Sequence, residues 1–301
     1  MNVAVLMSTY NGGKFLKEQI DSILSQEGDF NLDLWVRDDG STDSTNDILK
    51  SYESDGKLTR IMGKNLGPAK SFLAILSECK GYDYYAFADQ DDYWMPKKIS
   101  KAISKIENID GPCVYFSNAD ITDSNLAYTD KKVYKVSPVI EFKTLTCAGG
   151  ILGCTMVFNR KLQELLLNGR SPNKVIMHDF YVAEVCLAIG GQILYDDKSY
   201  IKYRQHNSNV IGISSNIIQT IKNRFTDIIK KQPISIAEQA FEVISNYNDY
   251  IDKDKQEWLR KISRYRASIK NRIELCFNPN THYLNTNMSL KIRISILLGN
   301  R

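Results

Sequence analysis

The N-terminal two-thirds of the chain alternates short apolar runs with amphipathic stretches. Val3-Ala-Val-Leu-Met7 is continuously apolar, as expected of a strand covered on both faces. A polar turn, Ser8-Thr9-Tyr10-Asn11-Gly12-Gly13, follows, and then a helix predicted over about residues 14–26. Leu32, Leu34 and Val36 alternate as a second strand does. That strand ends in Asp38-Asp39-Gly40-Ser41-Thr42-Asp43, a turn that also caps a helix predicted over 43–52. A short strand near 58–62 and a helix near 68–79 come next. The apolar run Tyr84-Tyr-Ala-Phe-Ala88 then stops at Asp89-Gln90-Asp91-Asp92, before a helix over 95–106. Strand–helix alternation of this kind predicts an α/β fold, a doubly wound, mostly parallel sheet with helices on both faces, whose ligand crevice lies at the carboxyl ends of the strands. All three polar clusters fall at those ends, so they are expected to converge on one nucleotide-sized site.

Beyond residue 200 the pattern turns helical. Ile217-Ile218, Ile221, Phe225 and Ile228-Ile229 form one face, with Lys222, Arg224, Lys230 and Lys231 largely off it. A second helix is predicted from Pro233 to about residue 250. A third, over 255–277, aligns Trp258, Leu259, Ile262, Tyr265, Ile269 and Ile273, and 288–298 adds a short segment carrying Lys291 and Arg293. The expected division is a catalytic domain over 1–212 and a helical C-terminal region over 213–301. Charge divides the same way: residues 1–200 carry 22 Lys and Arg against 27 Asp and Glu, and 201–301 carry 17 against 8. Two readings of the basic tail compete. It packs on the catalytic domain or on another copy as a homodimer, or it attaches to the anionic cytoplasmic leaflet of a membrane. Nucleic acid is excluded as a partner, because no binding motif accompanies the charge and the catalytic half is acidic.

The 43% hydrophobic content supplies core for one large domain and an appendage. Six cysteines without a C-x-x-C pair, mostly inside apolar runs, fit reduced thiols in the cytoplasm. Met1-Asn-Val-Ala-Val-Leu-Met7 lacks a basic flank and reads as a core strand, not a signal peptide. No stretch reaches the ~20 apolar residues that span a bilayer.

Three carboxylates within four residues at a strand end raise one another's pKa unless a cation sits there. Oxygen ligands of this kind suit Mg²⁺ or Mn²⁺, the alternative being an acidic turn that caps the next helix. A metal-bound carboxylate is a poor base, so a base must come from elsewhere. Met177-His178-Asp179-Phe-Tyr181 opens a helix over 179–189, and Asp179 reads first as its N-cap. The glycine-rich run from Cys147 to Phe158 lacks the lysine of a phosphate loop, and its small residues would let a ligand approach the backbone. Arg204-Gln205-His206-Asn207 suits diphosphate contact or completion of a metal shell. The three histidines show no H-x-x-x-H spacing, against a zinc site.

Ser8-Thr9-Tyr10-Asn11-Gly12, Asp38-Asp39-Gly40-Ser41-Thr42-Asp43, Asn65-Leu-Gly67 and Asp89-Gln90-Asp91-Asp92-Tyr-Trp94, in that order, resemble the signatures of glycosyltransferase family 2 over about residues 2–212. The Asp-Gln-Asp-Asp form, with His178-Asp179 and Tyr203-Arg-Gln-His206-Asn207 downstream, is similar to the rhamnosyltransferase-like branch that builds bacterial surface polysaccharides. The resemblance implies a GT-A fold and a cytoplasmic enzyme. It would transfer a sugar with inversion from a nucleotide diphosphate, dTDP-rhamnose for this branch, to a hydroxyl of a lipid-linked glycan. It implies donor-binding roles for Thr9, Tyr10, Asn11 and Gln90, with Asp39 accepting the imide N–H of the base and Lys70 meeting the pyrophosphate; Tyr10 reads equally as a core aromatic and Lys70 as a solvated lysine. Asp89 would contact ribose or metal, Asp91 would hold the metal, and His206 would contact donor or metal. Asp179 takes the position of the catalytic base. His178, where many members carry an acid, would orient or bind the acceptor or be a structural histidine. Gly149 and Gly150 would line the donor sugar, and Trp94 would pack the loop or stack on the acceptor. A nucleotidyltransferase and a catalytically inactive nucleotide-sugar or glycan-binding subunit are the alternatives.

Overall fold

The computed structural model describes residues 1–206, 232–283 and 286–301. The predicted helix around Ile217–Ile229, together with Lys222, Arg224 and Asn207, lies outside the described residues.

The strands are β1 (Asn2–Thr9), β2 (Asn31–Asp38), β3 (Thr59–Met62), β4 (Tyr84–Ala88), β5 (Tyr93–Trp94), β6 (Cys113–Thr122), β7 (Tyr128–Lys132), β8 (Val157–Asn159) and β9 (Gln192–Arg204). They form one sheet in the order β3-β2-β1-β4-β8-β6-β9-β5, with β7 added on β6. The first half, β3-β2-β1-β4, is parallel throughout. The second half is mixed: β8 runs antiparallel to β4 and β6, and β9 parallel to β6. The expected mostly parallel sheet therefore describes the first half, and β8 marks the departure, because only the 3-10 turn Gly153–Thr155 precedes this three-residue strand.

Helices α1 (Leu16–Leu24), α2 (Thr45–Ser54), α3 (Pro68–Glu78) and α4 (Lys98–Ile106) follow β1, β2, β3 and β5. Then come α5 (Phe142–Ala148), α6 (Arg160–Asn168) and α7 (His178–Ala188). Alternation along β1 explains why both sheet faces are covered. Val3, Val5 and Met7 join the core with Leu16, Ile20 and Ile99, whereas Ala4 and Leu6 join Phe72, Ile75 and Val182 on the opposite face.

The C-terminal helices are α8 (Ile236–Tyr247), α9 (Lys253–Ser263), α10 (Ile269–Cys276) and α11 (Thr286–Leu298). Ile236, Val243, Trp258, Leu259 and Ile262 belong to the same apolar core as α3 and α7. Trp258 Nε1 donates to Thr146 Oγ1 at 2.7 Å, and Gln239 Nε2 donates to the buried Glu184 carboxyl at 2.7 Å. The described part of the tail thus packs on the catalytic sheet. The single helix expected over 255–277 is two helices joined by the 3-10 turn Tyr265–Ala267. Ser268 takes an extended conformation and accepts from Asn271 N, an N-cap that starts α10 afresh. Ile269 and Ile273, expected on the buried face, are exposed as a result. All six cysteines are buried and unbridged, and no helix among the described residues is long and apolar enough to cross a membrane.

Candidate active site

The loops after β1, β2 and β4 are tied together by side chains that reach across them. Gln90 Oε1 accepts from Thr9 Oγ1 at 2.8 Å and from Tyr10 N at 2.9 Å. A Cβ on Gly12 would stand 2.2 Å from that oxygen, so a side chain there would push the Gln90 amide aside. Asn11 holds φ at 49°, and its Oδ1 accepts from Thr42 N at 2.8 Å while its own N–H donates to Ser41 Oγ. Asp38 accepts from Ser41 N at 3.0 Å. The braced loops form one wall of a cavity of about 760 Å³, to which Tyr10, Asn11, Gly12, Phe15, Gln90 and Asp91 contribute. Asp123, Ser124, Gln205 and His206 close the other side. Tyr10 is exposed, so it is not the core aromatic that the sequence also allowed.

Asp39 is buried and turned away from this cavity. It accepts from Leu66 N and Gly67 N at 2.9 Å and pairs with Arg37. A base N–H would therefore have to displace a loop amide to reach it. Lys70 stands exposed on the first turn of α3 and does not line the cavity.

At the end of β4 the three carboxylates separate into different surroundings. Asp91 lines the cavity, and its Oδ2 lies 2.7 Å from His206 Nε2. The His206 ring packs on Phe15, with centroids 4.8 Å apart. Beneath them Arg204 is buried: Nε donates to the Asp91 carbonyl at 2.7 Å, Nη1 donates to Ser124 O at 2.6 Å, and the guanidinium stacks on Phe15 and pairs with Glu18. Asp89 lies between this wall and the interior. Burial, then the charges of Asp91 and Asp179, push its carboxyl up to about 7. Asp92 is fully buried, accepts from Arg204 N at 3.2 Å, and is held well above the usual carboxylate range by burial first and by Asp91 next. One oxygen each of Asp89 and Asp92 and the Cys154 sulfur lie within 4.8 Å of one another.

Sequence reading missed Lys98, which an amphipathic helix would normally leave in solvent. It is buried under Asp92 and Cys154, with Nζ 3.6 Å from the Trp94 ring centroid, and burial lowers it to about 7. Trp94 is itself fully buried, with its backbone N–H donating to Ser22 Oγ at 3.0 Å. That corrects the acceptor-stacking role: Trp94 packs the loop and has no surface to offer a substrate.

The start of α7 supplies the remaining acid. Asp179 Oδ2 accepts from Gly153 N at 2.9 Å and Oδ1 from Phe180 N at 2.7 Å. Burial outweighs these bonds and raises the carboxyl to about 6. Met177, not Asp179, is the N-cap. A Cβ on Gly153 would lie 2.9 Å from Asp179 Oδ2, so only glycine lets the backbone approach this closely.

His178, whose Nε2 also approaches Gly153, is buried in the core. Its ring stacks on Phe72 at 3.8 Å and meets the edge of Phe87 at 4.7 Å, burial lowers it to about 3, and neither ring nitrogen is hydrogen-bonded among the described residues. The acceptor-binding expectation is corrected to that of a core residue, because an apolar ring slot favours the neutral imidazole. Gly149 and Gly150 hold φ at 69° and 114°. The Gly150 carbonyl accepts from Tyr134 Oη at 2.7 Å, and a Cβ on Gly150 would meet Tyr283 Oη at 2.1 Å. On that side, Tyr283 of the C-terminal region packs against Gly150.

The model of the family "Glycosyl transferase family 2" matches residues 4–166. The chain belongs to glycosyl transferase family 2. Among curated relatives, a dTDP-rhamnosyl transferase, RfbG of Shigella flexneri, is 30% identical over 222 residues, covering 68% of this chain and 73% of that one. An uncharacterized glycosyltransferase of Haemophilus influenzae is 25% identical over 266 residues, 84% of this chain and 98% of that one. Among solved structures, S. aureus TarS 1-349 in complex with UDP-GlcNAc aligns over 92% of this chain and 81% of its own with TM-score 0.52 and 17% identity. The mannosyltransferase PcManGT from Pyrobaculum calidifontis, in complex with GDP-Man and Mn2+, aligns over 99% and 74% with TM-score 0.53 and 16% identity. These two carry the fold, which is that of GT-A glycosyltransferases. Family members are glycosyltransferases, and so is this chain.

Proposed function

We propose that this glycosyltransferase moves rhamnose from dTDP-rhamnose, with inversion and in the presence of a divalent cation, to a hydroxyl of a lipid-linked surface glycan on the cytoplasmic side of the membrane. The observation that carries the reaction is that Asp91 and His206 face the cavity, 2.7 Å apart, while Asp179 stands apart at the start of α7, held by the Gly153 N–H. One acid is thus available as a base and others as ligands. The relative from Shigella flexneri supports the donor, since its name states dTDP-rhamnosyl transfer.

The donor set fits Mg²⁺ or Mn²⁺. Asp91, Asp89 and His206 offer carboxylate oxygens and an imidazole nitrogen. The tighter grouping of Asp89, Asp92 and Cys154 fits less well, because burial pushes the Cys154 thiol up and hard cations disfavour sulfur. The archaeal mannosyltransferase that aligns with this chain was solved with Mn2+. Bound there, the cation would offset charge developing on the departing diphosphate.

The remaining roles fall to the protein. Asp179, with a pKa near 6, is ionised at neutral pH and takes the proton of the acceptor hydroxyl. The acceptor oxygen bonds to the anomeric carbon as the bond to the β-phosphate oxygen breaks on the opposite face. Gly153 N–H holds Asp179 Oδ2 in place. Tyr10, Asn11 and Gln90 line the donor cavity, Thr9 holds Gln90 from below, and Asp39, outside the cavity lining, braces the loop before α3 through Leu66 N and Gly67 N. The test is a panel of dTDP-, UDP- and GDP-sugars with Mn²⁺, the product anomer being read by proton NMR. Turnover of dTDP-rhamnose with inverted configuration is the expected result. A retained anomer, or preference for a UDP- or GDP-sugar, would contradict the mechanism or the donor respectively.

A further inference from the structure

The C-terminal helices leave a surface that the catalytic site does not use. On α10, Ile269 is 71% and Phe277 70% exposed, with Ile273 exposed between them, so the stripe recurs every fourth residue. On α11, Leu290 is 56% exposed and Leu297 and Leu298 follow at the same helical face spacing. The opposite sides of both helices are spent on the core, through Leu275, Cys276, Ile292 and Ile296. Each helix therefore has two apolar faces, one buried and one in solvent. Single exposed leucines are ordinary, but stripes on two packed helices are not.

A basic pocket adjoins this surface. A cavity of about 190 Å³ at the junction of α9 and α10 is lined by Arg260, Lys261, Arg264, Asn271 and Glu274. Glu274 pairs with Lys261, and Arg260 donates to Gln256 Oε1 at 3.0 Å. The exposed Arg264 makes no side-chain hydrogen bond among the described residues. Lys270 stands exposed within the first stripe. Of the cations between 264 and 298, Arg264 and Lys270 are exposed, whereas Arg266 pairs with Glu238 and Arg293 donates to the Thr281 carbonyl.

We propose that this face of α10 and α11, with the pocket around Arg264, docks the enzyme on an anionic phospholipid surface: the apolar stripes enter the acyl boundary and the arginines and lysines meet phosphate head groups. The charge decides between the two occupants an apolar face can have. A second copy would meet it through a two-fold contact that sets the exposed Arg264 and Lys270 against the same two cations. An anionic leaflet supplies the opposite sign, and each Lys or Arg near it adds attraction. The docking face is rigidly joined to the catalytic loop. Arg301 donates to Cys147 O at 3.0 Å and Ala148 O at 2.6 Å, and Tyr283 Oη reaches Gly150 O at 3.5 Å, three residues before the glycine that holds Asp179. The use of the surface, to present the base to a lipid-linked acceptor, rests on the proposed transfer reaction; the docking does not.

The experiment is sedimentation of the full chain with vesicles of phosphatidylcholine alone or with phosphatidylglycerol added. Two variants accompany it, Ile273→Asp with Phe277→Asp, and Arg264→Glu with Lys270→Glu, all at exposed positions. The wild type is expected to bind the anionic vesicles, to release them as salt rises, and to leave the neutral ones in solution. The charge variant should bind roughly thirtyfold more weakly or worse, the apolar variant should lose binding, and both should hydrolyse soluble donor as the wild type does. Absence of vesicle binding, binding undiminished in both variants, or a dimer in sedimentation velocity that the same substitutions dissolve would each overturn the proposal. Loss of donor hydrolysis in every form with vesicle binding intact would count against the transfer reaction alone.

Discussion

Asp91 and His206 meet at 2.7 Å although 115 residues separate them, and the contact joins the end of β4 to the end of β9 across the mouth of the cavity. Arg204, two residues before His206, holds the β4 end from below, its Nε donating to the Asp91 carbonyl and its backbone N–H to the Asp92 carboxylate. The two strand ends are thereby locked together at the mouth of the cavity.

Replacement of His206 by alanine should weaken Mn²⁺ binding by roughly 10–100-fold while leaving the fold intact, the range typical when a metal site loses a supporting group. Calorimetric titration of Mn²⁺ into the variant measures this directly. Unchanged affinity would show that His206 contacts only the donor.

The pH profile follows from Asp179. A base must be unprotonated, so kcat/KM should fall as pH drops through about 6 and level off above it. Asp179→Asn should remove that limb together with most of the activity. A wild-type profile that is flat between pH 5 and 7.5 would contradict the assignment.

Glu184 offers a stability test apart from catalysis. It is buried against Gln239, and burial raises it from 4.5 to about 8. The folded state then holds a proton that the unfolded chain releases, so this contribution is full below pH 4.5 and is lost as pH rises toward 8. Glu184→Gln keeps the amide partner without the proton. The variant should be more stable than the wild type at pH 8 by on the order of 1–3 kcal/mol, with the difference vanishing near pH 4.5, by urea unfolding.

His178→Phe should fold with unchanged or greater stability and keep wild-type kcat and acceptor KM, since the ring slot between Phe72 and Phe87 is apolar. A large rise in acceptor KM with an intact melting transition would restore a role in acceptor binding.

Gly153→Ala places a methyl group 2.9 Å from Asp179 Oδ2 and 3.0 Å from His178 Nε2. Displacing the base without touching the donor cavity should lower kcat by about tenfold or more, with donor KM little changed.

The parallel half of the sheet was readable because the apolar runs of β1, β2 and β4 end where they meet Ser or Asp, and the loops then lead on to helices, although no side chain caps α1 to α4. The same rule located Thr9, Asp38, Asp89 and Asp91 at strand ends. Four features were not readable, for physical reasons. Lys98 and His178 sit at positions whose local pattern is ambiguous, and only the neighbours brought in by β5, α3 and β4 decide that they are buried. The covering of Gly150 by Tyr283 joins residues 133 apart, and no local pattern encodes that. The break after Ser263 depends on Ser268 acting as a cap, which competes with an otherwise continuous apolar period.

The most direct test of the central claim separates binding from turnover in two variants. dTDP binding is measured by calorimetry with Mn²⁺ and with EDTA, alongside release of dTDP from dTDP-rhamnose in the presence of acceptor. The account predicts that wild-type binding requires Mn²⁺ and that Asp91→Asn loses it. Asp179→Asn should bind as the wild type does yet turn over ~10²–10⁴-fold more slowly. Metal-independent binding in the wild type, or Asp179→Asn turning over at the wild-type rate, would contradict it.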